Sequence, residues 1–275
     1  MGSFNRLYCK WRLLSLTVFV PLLLAPTVMA ATLLPFKADY SLELVSALPE
    51  TNIIDADGLM HSELIDHCDF WISSEEFFIN LRNTEGDSQI FVAKSNSRES
   101  KNGDSLQFKN SRILGSVENE AEVIQGHASI TKKESTAFFN LPEVTRVRLD
   151  PKAIFPATLT RTILDAALRG ERFLKLTLFD GSMMEKGVLV SVVIGRLQKS
   201  KIKLKEPRLS KKAWPMSVGF FAMSNQTEIA DYQVDLEMNE NGIPLGIKMN
   251  FGEYGVKAEL ARFESLPSNP KNCVK

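Results

Sequence analysis

The chain has 275 residues, with 33 basic and 33 acidic side chains and 44% hydrophobic residues. That balance excludes a nucleic-acid binder, whose affinity would rest on a basic surface that neutralises phosphates. No low-complexity, Gly/Ser-rich or Pro-rich linker divides the chain and no fixed-period repeat runs through it, so one large domain is expected.

Residues 1–30 read as a cleavable export signal. Arg6, Lys10 and Arg12 form a basic start, residues 13–25 are an apolar run interrupted by Ser15, Thr17 and Pro21, and Val28, Met29 and Ala30 make a small-x-small cleavage site. The apolar run is well short of the roughly twenty residues a membrane-crossing helix needs. Cys9 precedes that run with no lipid-attachment context after it, so a lipoprotein is not expected. Cleavage leaves a domain of residues 31–275 with a formal charge of about −3.

Period-two alternation dominates this domain. In PFKADYSLELV, Phe36, Ala38, Tyr40, Leu42 and Leu44 alternate with Lys37, Asp39, Ser41 and Glu43, the pattern of a strand with one buried face. The stretch LIDHCDFW, residues 64–71, reads as a further strand with Cys68 in its middle. Turns are expected at 85–87 and at Asn102-Gly103. After Phe155-Pro156 the rhythm changes: Leu159, Ile163, Ala166 and Ala167 recur at helical spacing and Gly170 marks a stop, which predicts a helix at about 157–169. That helix should cover the apolar face of the sheet or plug a curled one.

Strands resume at RFLKLTLFDGS and GVLVSVVIG. The stretch RLQKSKIKLKEPRLSKK, residues 196–212, holds eight basic residues and one Glu. Lys201, Lys203 and Lys205 alternate with Ile202 and Leu204, so they share one face of an expected edge strand, where lysines discourage pairing with another sheet. The functional alternative is contact between Lys199, Lys201, Lys203, Lys205, Lys211 and Lys212 and an anionic membrane surface or acidic partner. Trp214, Phe220 and Phe221 follow as core residues or as the lining of a groove. Tyr232, Val234, Leu236 and Met238 form one more apolar face and Ile243, Leu245, Ile247, Met249 and Phe251 the next, with Asn241-Gly242 between them as a hairpin turn.

Removal of the leader leaves two cysteines, Cys68 and Cys273, in an oxidising compartment where two thiols tend to pair. A structural disulfide is the expectation; a metal ligand and a nucleophile are the alternatives. His61 and His67 lie six apart on one strand face while Cys68 points to the other, which gives no local zinc geometry. His67 likewise faces away from the thiol it would have to activate. Asp180-Gly181-Ser182 lacks the spacing of a nucleophile elbow and reads as a turn. No catalytic residue, metal or cofactor is expected.

Several of these segments, taken together, resemble the EipB-like envelope integrity family of Gram-negative periplasmic proteins. They are the early alternating strand, the block from Phe155 through the helix and Gly170 to Phe179-Asp180-Gly181-Ser182, the Asn241-Gly242 hairpin with its aromatic-rich following strand, and the two cysteines near the ends. The resemblance covers essentially the whole of residues 31–275. It implies a periplasmic, mainly β domain: a single large antiparallel sheet curled as a β-spiral around one principal helix, with Cys68 and Cys273 joined. It also implies a role in envelope homeostasis under cell-wall stress rather than a defined reaction. The expected partner is an envelope protein, a lipid or a cell-wall component, met by a binding or scaffold module. The alternative is a lipid or lipoprotein carrier that uses the apolar concavity.

Peptide mapping of the non-reduced, exported protein should recover Cys68 and Cys273 in one linked pair. In the chain-entropy picture, closing so long a loop contributes up to about 5 kcal/mol, so Cys273→Ser should lower the unfolding temperature. Two unmodified thiols in protein recovered from the oxidising compartment would contradict the pairing.

Overall fold

The computed structural model describes residues 31–116, 118–131, 133–200, 202, 206, 209–223 and 229–268. Eight strands follow one another as a meander: β1 (Phe36–Ala47), β2 (Ile53–His67), β3 (Phe70–Asn83), β4 (Ser88–Ser100), β5 (Ser105–Gly115), β6 (Glu122–Ile130), β7 (Ser135–Leu141) and β8 (Thr145–Arg148). A short β9 (Ala153–Ile154) leads into the helix α1 (Pro156–Leu168). The second meander comprises β10 (Phe173–Leu178), β11 (Val188–Ile194), β12 (Gln198–Lys199), β13 (Lys212–Ala222), β14 (Tyr232–Asn239), β15 (Pro244–Asn250) and β16 (Tyr254–Ser265).

All sixteen strands belong to one sheet, ordered β8 to β1, then β16, β15, β14, β13, β11, β10 and β9, with β12 beside β13. Pairing is antiparallel except between β9 and β10. The first and last strands thus meet in the middle of the sheet, through the β1–β16 pair, and the two ends of the strand order are β8 and β9. The sheet curls without closing into a barrel.

Alternation makes the strands one-sided: in β1, Phe36, Ala38, Tyr40 and Leu42 are buried while Ser41 and Glu43 are exposed. Irregularities in register occur in the β1–β16, β2–β3, β6–β7 and β14–β15 pairs, and such bulges bend a strand and sharpen its twist. The ends of the curl are drawn together by packing. Phe108 of β5 and Phe139 of β7 meet Phe179 edge-on at centroid distances of 5.7 and 6.4 Å, and Phe155 reaches the same Phe179 at 6.4 Å. Each such aromatic pair contributes about 0.5–1.5 kcal/mol beyond its area burial. Gly181, at φ +73°, makes this possible, because a Cβ there would lie 2.3 Å from the Phe108 ring.

The helix matches the expected span to within a residue. Leu159, Ile163, Leu164, Ala166 and Ala167 are buried against Val190, Val192, Ile194, Trp214, Met216 and Val218 from β11 and β13. Its C-terminus is closed by a Schellman arrangement: Gly170 N–H donates to Ala167 O and Glu171 N–H to Ala166 O, with Gly170 at φ +80°. Its N-terminus has Phe155 at the cap position, which supplies no side-chain acceptor. The acceptor comes from the sheet. Glu99 of β4 takes the backbone N–H of Ala157 at 2.7 Å and, through its other oxygen, the N–H of Thr158 at 2.9 Å and the Thr158 hydroxyl at 2.6 Å.

Two expectations are corrected. Cys68 is not inside a strand: His67 pairs with Phe70, so Cys68 and Asp69 form a two-residue hairpin turn, and Cys68 takes φ 45°. A positive φ at the first turn residue matches the twist of the flanking strands. In the basic stretch, the described strand is limited to Gln198–Lys199, paired with Ala213 and Lys212; Ile202 and Glu206 are not in a strand. Lys201, Lys203 and Lys205 lie outside the described residues.

Candidate functional site

The concave side of the curled sheet encloses a cavity of about 750 Å³ between the two meanders. Met60, Phe77, Phe91, Ile124, Leu178, Val188, Phe220 and Met249 form apolar walls, Glu75, Ser95, Asn110, Asp180, Ser182 and Tyr232 supply polar groups, and Asp231 and the ion-paired Glu76, Lys94, Arg112 and Glu122 also line it. The size is typical of small-molecule sites, as is the pattern of an apolar lining with a few placed polar atoms.

Strand alternation puts the polar groups there. Glu75 is in phase with Phe77 and Ile79 on β3, and its cross-strand neighbours are serines on both sides, Ser62 and Ser95. Ser73, Ser97, Glu99 and Asn110 continue a polar row across β3, β4 and β5. Glu75 projects into the cavity and stays open to solvent there. Among the described residues it has no hydrogen-bond or ion-pair partner. Removal from bulk water, followed by the nearby Asp180 carboxylate, pushes its carboxyl above the usual range.

Tyr232 lines the same space and stacks on Phe220 at 4.4 Å. Burial, then Asp180, Glu75 and Asp231, raises its phenol pKa well above the ordinary value, so the hydroxyl keeps its proton. Tyr40 of β1 donates its hydroxyl to Pro244 O at 2.8 Å and is raised in the same direction by burial and by Glu75. Asp180 is held by its own turn, where its Oδ1 accepts the Ser182 N–H at 2.9 Å and hydroxyl at 2.7 Å. A smaller space of about 140 Å³ beneath the start of α1 is bordered by both Glu75 and Glu99. The capped helix terminus therefore adjoins the cavity.

A second concavity, of about 740 Å³, runs across β11 and β13 to β16. Most of its charged groups are engaged: Lys257 pairs with Glu43 and Glu259, Ser200 with Glu237 and Ser217 with Asp235, while Lys248 lines it as an exposed cation. The inner cavity, with an unpartnered carboxyl, is the stronger site.

The residues singled out in the sequence do not converge on it. Phe220 lines the cavity. Trp214 does not: it is 4% exposed and packed in the core against α1, where its bulk fills the space under the helix. Phe221 faces the opposite side of β13, against Gly219. Lys199, Lys211 and Lys212 are exposed. Cys68 is disulfide-bonded; Cys273 lies outside the described residues. His61 binds Asp39 at 2.6 Å and His127 stacks on Phe138. Among the described residues no group of three His, Cys, Asp or Glu could hold a metal ion, and no helix is long and apolar enough to cross a membrane. Glu75 was missed, although its phase with Phe77 and Ile79 marks it as inward-facing.

Fold and cavity together define a class: β-barrel-like proteins in which one antiparallel sheet coils around a helix without closing. A solved structure of this class, the β-barrel-like protein of domain of unknown function DUF1849 from Brucella abortus, superposes with a TM-score of 0.79 at 21% identity, covering 86% of this chain and 100% of that one. Residues 27–267 match the EipB-like family, and the chain belongs to it. The cell envelope integrity protein EipB of Brucella abortus (strain 2308) is 22% identical over 255 residues, 90% of each chain.

Glu75→Gln tests the enclosed carboxyl. Its folded pKa is raised, so the stability it permits is complete below the unfolded value near 4.5 and is lost as pH rises through the folded value. The variant should therefore have a higher urea midpoint than the parent at pH 7, and the gap should close towards pH 4. Identical midpoints across that range would show that Glu75 ionises without cost.

Proposed function

We propose that the chain is an exported envelope protein that supports envelope integrity by binding, without catalysis, an amphiphilic lipid-like molecule in the cavity of its curled sheet. The cavity carries this reading, since its walls are largely apolar and, among the described residues, one carboxyl within it has no partner. Membership of the EipB-like family, the name of the Brucella relative and the export features of residues 1–30 support the envelope. An apolar tail would gain roughly 25 cal/mol for each Å² removed from water, and its head would meet Glu75, Tyr232 and Ser95. The exposed Lys199, Lys211 and Lys212 would bring the protein to anionic headgroups. In the same reading, Cys68 is joined to Cys273 and ties the tail to the β2–β3 turn.

Detergent-free protein should take up a fluorescent long-chain amphiphile with saturable, single-site binding. Ala93→Trp, which projects bulk into the cavity from its wall, should weaken uptake at least tenfold while the folded spectrum is retained. Absence of saturable binding by the parent protein, or undiminished binding by a folded Ala93→Trp variant, would rule the cavity out as the site.

A further inference from the structure

The backbone nitrogen of Ala31 lies 2.6 Å from Asp165 Oδ1. Asp165 stands in the last turn of α1, where the helix carbonyl ends carry partial negative charge, so a carboxylate there is disfavoured unless a cation answers it. The last turn contains no basic residue, and among the described residues no side-chain cation forms an ion pair with Asp165.

The segment that brings Ala31 to this carboxylate is firmly placed. Leu33 is 4% exposed and packs into the helix core. A Cβ on Gly242 would lie 2.9 Å from Leu33 and 3.2 Å from Leu164, so the glycine gives both side chains room. Leu34 N–H donates to Asn241 O at 3.1 Å, and Pro35 O accepts Leu266 N–H at 2.9 Å. A chain end held this way has little freedom to miss its partner.

We propose that Asp165 is the docking partner of an α-ammonium group created at Ala31 when the leader is removed. The inference rests on the export reading but not on the cavity. A signal peptidase would hydrolyse the amide between Ala30 and Ala31; water supplies the hydroxyl of the released leader's carboxyl group and a hydrogen for the new amine. An ordinary α-amino group has a pKa of about 8, so at neutral pH the amine takes up a proton and becomes ammonium. Before cleavage Asp165 meets one neutral N–H; afterwards it meets a full positive charge, and charge-assisted bonds are roughly twice as strong. Processing thus clamps the first residues of the domain to the C-terminal turn of α1 and answers the charge on Asp165.

The experiment compares two forms of the chain, one processed from the exported precursor and one carrying two extra residues before Ala31, each with Asp165 and with Asp165→Asn. Amino-terminal sequencing of the processed form should read Ala31 first. The processed parent should unfold with an equilibrium constant about fivefold smaller than the extended parent, and Asp165→Asn should abolish that difference. As a readout independent of stability, the Ala31 amine should be acylated by an amine-reactive ester more slowly in the folded parent than in folded Asp165→Asn. A precursor that is never cleaved, or one cleaved elsewhere, overturns the proposal through the export reading. Cleavage at Ala31 with equal effects of Asp165→Asn on both forms, or with equal acylation rates, overturns the ion pair alone.

Discussion

Glu99 joins the only α-helix of the described residues to the sheet that surrounds it. Three donors from the first turn of α1 converge on one carboxyl group that reaches them from β4. The helix has no acidic residue in its own first turn and no side-chain cap, so this carboxyl is what meets the positive end of its dipole. Glu99 is 2% exposed. Burial pushes its pKa up, while Thr158, Ala157 and Arg161 pull it back. Replacing it would leave two backbone N–H groups without their acceptor, each at a cost of up to about 1–3 kcal/mol. Gly103 lets the β4–β5 turn approach closely enough, since a Cβ there would lie 2.8 Å from the Thr158 hydroxyl.

From this anchor the division of the interior follows. On one side the helix buries its apolar stripe against β11 and β13. On the other, the inner faces of β3, β4 and β5 near the helix start are polar: Ser73, Glu75, Ser95, Ser97 and Asn110 could not support a continuous apolar core. The aromatic cluster around Phe179 draws the ends of the sheet together instead. What remains between the polar row and the second meander is the cavity. Its existence is thus a consequence of an inward polar row on a curled sheet with one helix fixed inside it.

Much of the architecture is written in short-range patterns. The alternation from Phe36 to Leu44 and the faces either side of Asn241-Gly242 are visible because one side of each strand is apolar, and α1 because Pro156 and Gly170 bracket an apolar stripe. Elsewhere those patterns weaken. The Cys68 turn has neither Asn nor Gly to announce it, and its φ of 45° is imposed by the tight hairpin. Glu75 is in phase with Phe77 along β3 and Glu99 stands opposite Leu106 of β5, yet an inward glutamate makes sense only once a cavity and a helix terminus lie opposite. Those are built by residues far along the chain, such as Asp180 and Ala157. Trp214 reads as core with a groove lining as the alternative, and the position of α1 decides for the core.

The most direct measurement is amide hydrogen exchange on the parent and on Glu99→Ala, read residue by residue along α1 and β4. If Glu99 holds the helix in place, the α1 amides of the parent exchange only with global unfolding. In Glu99→Ala they exchange at least about tenfold faster than those of β1 and β16, because the helix then opens locally. Helix and sheet amides that accelerate by the same factor, or α1 protection unchanged by the substitution, would contradict the account.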